Sequence, residues 1–305
     1  MSAAPHIASA YDVVGRSDDV ERWLSARREG LGASEAWRLF SEPYALWCEK
    51  SGLVEPEDLD TVEAVEWGRE LEQKILAGFV RRSGIPTEHS GFLLRSREWP
   101  WMLATLDGEA RDGGIVVPVE AKLVREFRAD EWADGAPPKY QWQVCQQLAV
   151  TGAPHGYIAA LLGGVRLVWE RIDRDEGMIR TLVKAGAEMW RRVLEDDAPD
   201  ADGSEATARA IRLRYPRHDE GVVLTLDDEL VSVAAALDAS KAARSALDGR
   251  ISQDEARIKS VMGTAERAVL PDGSGFSFKA TERAGYQVAP TTVRTLRRTA
   301  ARKER

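Results

Sequence analysis

The sequence predicts an α/β core with a mixed β-sheet, and three observations lead there. Residues 61–83 (TVEAVEWGRELEQKILAGFVRRS) carry Val62, Val65, Leu71, Ile75 and Phe79 at helical spacing, with Gly84 as a C-terminal stop. Short extended segments follow: GFLLRS, then MLATLDGEA, then GIVVPVEAKLV, whose β-branched run is bounded by a DGG turn. The pattern then returns to helix, two strands and helix, an order that suggests helices packed on a sheet.

Taken from the start, the chain opens on a polar stretch, and residues 18–26 (DDVERWLSA) read as a short helix. RREGLGASEAWRLF offers a glycine-containing turn running into a second helix, with Ser34 near its start. A small hydroxyl there can cap the helix, and the free backbone amides can bind a phosphate. PYALWCEKSG continues as helix and VEPEDLD is an acidic linker. After the long helix, the three extended segments read as a hairpin or meander. KYQWQVCQQLAVTG is helical, HGYIAALLGG and VRLVWERID are strands, and EGMIRTLVKAGAEMWRRVLED is a closing helix.

Beyond about residue 196 the composition shifts to an acidic, Ala-rich linker, DDAPDADGSEATARA, which divides the chain into a domain over 1–196 and an accessory region over 197–305. In the stretch 224–262, Leu230, Val233 and Leu237, then Leu247, Ile251, Ile258 and Met262, form an apolar seam that Ser240 and Arg244 interrupt. That interruption favours a helical hairpin over one long coiled coil. RAVLPDGSGFSFKATE reads as a β-hairpin around PDGSG, and the end, TTVRTLRRTAARKER, is strongly basic: a hold for DNA or a partner, or a disordered end.

Bulk properties narrow the chemistry. The chain has 305 residues and a formal net charge of -8, which argues against nucleic acid coating the whole surface but leaves room for a positive groove. Cys48 and Cys145 sit in apolar, Trp-rich segments, too few for a tetrathiolate zinc site or an unaided iron-sulfur cluster. His6, His89, His155 and His218 show no metal-ligand spacing, so any metal is expected on oxygen. No apolar run is long enough for a membrane span and the N-terminus lacks a signal pattern, so a cytoplasmic protein is expected, with no membrane partner.

Metal-assisted cleavage of a phosphodiester requires carboxylates converging on hard cations, a group to orient water, and a cation near the scissile phosphate. Asp107 ends an apolar stretch in ATLDG, and Glu120 and Lys122 alternate in PVEAK, so on a strand both project to one face while Ala121 points away. A lone acid-x-lysine is ordinarily a surface pair on an edge strand. Here the apolar run IVVPV leads straight into the charged pair.

Five segments in order resemble the YqaJ-type viral recombinase and phage lambda exonuclease family, of the PD-(D/E)XK nuclease superfamily. RREGLGASE, with Trp23 before it, resembles the family's phosphate-binding segment; WGRELE resembles its helix ending in a catalytic Glu; ATLDG and VEAK supply the core acids and lysine; YQWQVCQQ resembles its Tyr-x-x-Gln-Val helix. The resemblance covers about 21–194. It implies a restriction-endonuclease-like core, a central mixed sheet flanked by helices, with a C-terminal helical and hairpin extension. Residue by residue, it implies that Asp107, Glu120 and the Ala121 carbonyl bind a metal, and that Glu72 holds a second ion or its water. Lys122 positions the attacking water or stabilises charge on the phosphate, and Gln143 orients one or the other. Arg27, or one position on Arg28, would grip a DNA-end phosphate with Ser34, which reads equally as a helix cap. Leu106 stands where the family often has Pro, without loss of a functional group.

The implied function is a Mg²⁺-dependent exonuclease, with Mn²⁺ as substitute and two ions per site. It would act 5′ to 3′ on double-stranded DNA ends in a bacterial or phage-infected cell, with a single-strand annealing protein as partner and a ring-shaped homo-oligomer as its assembly. A structure-specific endonuclease of the same fold and a catalytically idle DNA-binding module remain open beside it.

Overall fold

In the computed structural model, which describes residues 10–55, 63–282 and 295–297, the strands of the first of two units, Met1–Tyr215, form two sheets. The elements begin with β1 (Tyr11–Arg16), α1 (Val20–Arg28) and a two-residue β2 (Leu31–Gly32), then a 3-10 turn (Ala33–Glu35), α2 (Arg38–Ser41) and α3 (Pro43–Lys50). The long helix is α4 (Glu63–Ser83), followed by β3 (Thr87–His89), β4 (Phe92–Ser96), β5 (Met102–Thr105), β6 (Gly108–Asp112) and β7 (Ile115–Val124). A 3-10 segment (Glu126–Trp132) leads to α5 (Pro138–Thr151), β8 (His155–Leu162), β9 (Arg166–Asp173), α6 (Glu176–Glu195) and α7 (Glu205–Arg214).

The larger sheet runs β3-β6-β7-β8-β9 and is mixed: β7 and β8 are parallel, the other neighbours antiparallel. Parallel pairing follows from α5, since a crossover helix is what returns the chain in the same direction. The smaller sheet runs β1-β4-β5-β2. Sequence periodicity takes MLATLDGEA as one strand, and the structure breaks it in two. β5 pairs in the smaller sheet and β6 in the larger, with Leu106 and Asp107 at the crossing. Their carbonyls accept from the amides of Gly91 (2.8 Å) and Ser90 (3.0 Å), so the antiparallel pairing carries on through the crossing, with a one-residue register shift between His89↔Gly108 and Leu93↔Thr105. Gly108, the first residue of β6, lets α4 and β3 pack close to the crossing: a Cβ there would lie 3.0 Å from Leu76 and 3.1 Å from Thr87. β1 also lies in what reads from sequence as a polar start.

α5 lies between the two layers and packs on β4, β5, β7 and β8. Its Cys145, Ala149 and Val150 belong to one core cluster, with α3, β5 and α6, while Val144 and Leu148 belong to the other, with α4 and the larger sheet. Both cysteines are buried free thiols, and burial pushes the Cys145 thiol up to about 12. Gln146 ties the layers together, its Nε2 donating to the carbonyls of Leu31 (2.7 Å) and Leu103 (2.8 Å). Gln146→Ala strands both buried acceptors, so urea denaturation is expected to show a loss of about 1–3 kcal/mol, with or without divalent metal.

The first unit continues past the acidic linker near residue 196. α7 packs against α3; Asp202 accepts from the Tyr44 amide (3.3 Å) and the Thr207 hydroxyl (2.8 Å), and Ser204 caps α7 by accepting from Thr207 N–H (3.0 Å).

The second unit, Pro216–Arg305, contains one helix of 34 residues, α8 (Glu229–Met262), in place of the expected helical hairpin. An interrupted apolar seam does not break a helix. The segment has no proline and a single glycine, Gly249, at about 1 kcal/mol, and the i,i+4 pairs Arg244–Asp248 and Glu255–Lys259 span the exposed surface. Strands β10 (Arg267–Val269) and β11 (Gly275–Ser277) form the hairpin that PDGSG predicts. The basic end lies outside the described residues except for 295–297. Among the described residues, no helix is long and apolar enough to cross a membrane.

Candidate active site

Strand alternation on β7 sets Glu120 and Lys122 on one face, and the Lys122 Nζ lies 2.5 Å from Glu120 Oε1. Glu120 is only 2% exposed. Its carboxylate is fixed from α5: Gln143 Nε2 donates to Oε1 (2.5 Å) and Gln147 Nε2 to Oε2 (2.5 Å). Asp107, at the crossing between the sheets, is held by the Ala121 amide, which donates to Oδ2 (2.8 Å). Glu72 projects from α4 and meets His89 Nε2 at 3.0 Å. The structure therefore brings Glu72, Asp107, Glu120, Lys122 and Gln143 to one place from α4, the β5–β6 crossing, β7 and α5.

The electrostatics reflect three acids around one ammonium. Burial, then Glu120 and Glu72, hold the Asp107 carboxyl well above its ordinary range, against Lys122 and the Ala121 amide. Burial also raises Glu72, with Glu120 adding to it and His89 opposing. For Lys122, burial works to lower the pKa, but Glu120 and Asp107 outweigh it and the ammonium is favoured. Burial is the first cause of both shifts, and repulsion among the acids, which Lys122 only partly offsets at Asp107, adds to it. A hard divalent cation coordinated by carboxylate oxygen relieves that repulsion. Among the described residues, no three acidic, His or Cys side chains are already drawn together as a cage; here Glu120 is engaged by Lys122 and the two glutamines.

Gln147 and His89 are partners that sequence reasoning missed. Gln147 lies one turn after Gln143 on the same helix face, a spacing that signals a second contact to whatever Gln143 touches. His89 has no such signal, because β3 and α4 are brought together only by tertiary packing.

The Arg27 segment forms a second cluster. Arg27 Nη2 donates to Ser34 Oγ (3.2 Å), and its guanidinium lies 4.6 Å from the Trp23 ring centroid. Arg28 instead faces Glu55 at 3.8 Å, so of the two arginines only Arg27 meets Ser34. Ser34 sits inside the 3-10 turn, whose N-cap is Gly32, so its hydroxyl serves Arg27 and not a helix start. Thr105 joins the clusters: its hydroxyl accepts from Trp23 Nε1 and its carbonyl from Gln147 Nε2, both at 3.2 Å.

Comparison with known proteins gives the lineage. The model of the YqaJ-like viral recombinase domain matches residues 22–154, a span that holds every residue of both clusters. The YqaJ protein of Bacillus subtilis strain 168 is 31% identical over 226 residues, covering 70% of this chain and 70% of that protein. Among solved structures, the alkaline exonuclease LHK-Exo of Laribacter hongkongensis, in complex with dAMP, is similar with a TM-score of 0.50 and 19% identity. The match covers 58% of this chain and 94% of that one. At that identity the likeness concerns the fold, the PD-(D/E)XK core with its mixed sheet and flanking helices.

Proposed function

This chain belongs to the YqaJ-like viral recombinase family, and on that premise we propose that it is a metal-dependent deoxyribonuclease, a phage or prophage exonuclease degrading one strand of duplex DNA from 5′ to 3′. The observation that carries the reading is the convergence of Asp107, Glu120 and Glu72 beside the Lys122 ammonium, where burial first and the neighbouring acids second raise the Asp107 and Glu72 carboxyls. Asp107, Glu120 and the Ala121 carbonyl are the groups to hold Mg²⁺, or Mn²⁺ in its place, and Glu72 a second ion or its water. Such ions neutralise phosphate charge and make a bound water more acidic.

The chain's own residues do the rest. Lys122 donates hydrogen bonds to the attacking water or to the phosphate oxygens, where charge builds as water oxygen bonds to phosphorus and one ester P–O bond breaks. The products are a phosphomonoester and a hydroxyl. Gln143 and Gln147 keep Glu120 from swinging away from this point. Arg27 and Ser34 grip the phosphate at the DNA end through a guanidinium fork and a hydroxyl. The resemblance to the lambda exonuclease family extends the proposal to a ring-shaped homo-oligomer and to a single-strand annealing protein that receives the strand left behind.

The test is Mg²⁺-dependent release of nucleotides from linear duplex DNA against the same DNA as a covalently closed circle. Digestion of the linear form alone is expected. Cutting of the closed circle would favour an endonuclease, and binding without cleavage of either form an idle DNA-binding module. Arg27→Ala is expected to raise KM roughly tenfold on 5′-phosphorylated ends, the loss of a charged hydrogen bond, and to leave 5′-hydroxyl ends little affected in steady-state kinetics.

A further inference from the structure

Next to the candidate active site, β7 ends in a cavity of about 450 Å³, lined in part by Arg125, Phe127, Arg128, Glu131, Trp132 and Tyr140. We propose that this cavity binds one unpaired nucleotide of a DNA single strand, its base stacked on Phe127 and its phosphate paired with Arg125. The proposal rests on the nuclease reading for its choice of ligand, and its geometry is separate from the carboxylate cluster.

Four features identify the ligand class. The volume lies within the range of small-molecule sites, about 300–1,000 Å³. The aromatic groups divide in function: Trp132 and Tyr140 support each other, with centroids 5.4 Å apart, whereas Phe127 is 76% exposed on the 3-10 segment. A single exposed Phe is commonplace, but this one borders a cavity that also carries arginine. The charges divide in the same way. Arg128 is held by Glu131 at 2.7 Å and 3.1 Å, while Arg125 is exposed and, among the described residues, in no ion pair. An aromatic face beside an unneutralised guanidinium is the pairing that takes a base and its phosphate without regard to sequence. Finally, Lys122 Nζ lies 5.3 Å from the Tyr140 ring centroid, and Tyr140 lines the cavity. A strand whose phosphate is at Lys122 therefore has its neighbouring nucleotide within reach of the cavity.

The test is fluorescence anisotropy with a 3′-labelled oligothymidylate in EDTA, where no cleavage intervenes. Wild type is expected to bind. Phe127→Ala should weaken binding roughly tenfold and Phe127→Tyr should preserve it. Arg125→Ala should weaken it and flatten its salt dependence by about one phosphate contact. Since both side chains are exposed, circular dichroism of the variants should match wild type. Equal affinity of wild type, Phe127→Ala and Arg125→Ala would overturn the proposal, as would a wild type that binds duplex but not the single strand. Because the readout needs no catalysis, a protein that fails to cleave DNA yet shows this contrast would overturn the nuclease reading and leave the nucleotide site standing.

Discussion

Asp107→Asn is expected to stabilise the metal-free protein while reducing cleavage by on the order of 10³-fold or more, as loss of a central charged group in a catalytic site does. Asparagine keeps an oxygen to accept from the Ala121 amide, the 2.8 Å contact that places the side chain, and removes the charge that burial, Glu120 and Glu72 all oppose. The sign follows from linkage. A carboxyl whose folded pKa is raised favours the fold while protonated, and that advantage is lost as pH rises through the folded value. In EDTA, the variant should therefore melt several degrees above wild type at about pH 8 and nearly level with it at about pH 4, near the ordinary Asp value. Mg²⁺ should raise the melting temperature of wild type and leave the variant almost unmoved. Calorimetry in the two buffers reads both effects, and a variant that melts lower than wild type at about pH 8 in EDTA would contradict the charge imbalance.

Lys122→Ala should move stability the other way and lose cleavage as well, by about 10²–10³-fold in kcat. Glu120 is 2% exposed and Lys122 is its only cationic partner among the described residues. Lys122 is itself 22% exposed, but removing it leaves the buried Glu120 uncompensated, at a cost of up to about 3 kcal/mol. Added Mg²⁺ should restore most of that stability but not the cleavage, because the lost amine acts on water or phosphate. Melting curves with and without metal, beside single-turnover rates, separate the two roles. Unchanged stability in EDTA would mean that Glu120 does not depend on this ammonium.

What the sequence discloses is what local spacing fixes, and what it conceals is what tertiary packing sets. Glu120 and Lys122 are legible because strand alternation is local: two residues apart on IVVPVEAK, they must share a face. The α4 and α5 helices are legible for the same reason, through spacing that repeats within one element. Asp107 is legible as an acid, but its position at a crossing between two sheets is not, since the passage from β5 to β6 follows a register shift against the neighbouring β4 and β3, which tertiary pairing sets. Ser34 shows the limit of local rules: a serine after glycines reads as a helix cap, and the structure gives its hydroxyl to Arg27. α8 shows the converse. Ser240 and Arg244 interrupt an apolar seam, which concerns partners and not backbone, so the helix runs through them. His89 and Gln147 enter the site through tertiary packing and through a second helical turn, the one invisible and the other available to a reader who follows Gln143 down its face.

The measurement that bears most directly on the whole account is digestion of linear duplex DNA labelled separately at its 5′ and 3′ ends, by wild type and by Asp107→Asn, in Mg²⁺ and in EDTA. Early release of the 5′ label by wild type in Mg²⁺ alone, with none from the variant, is the expected result. Release that persists in EDTA, or in the variant at a rate close to wild type, would contradict a metal-dependent nuclease site at Glu72, Asp107, Glu120 and Lys122.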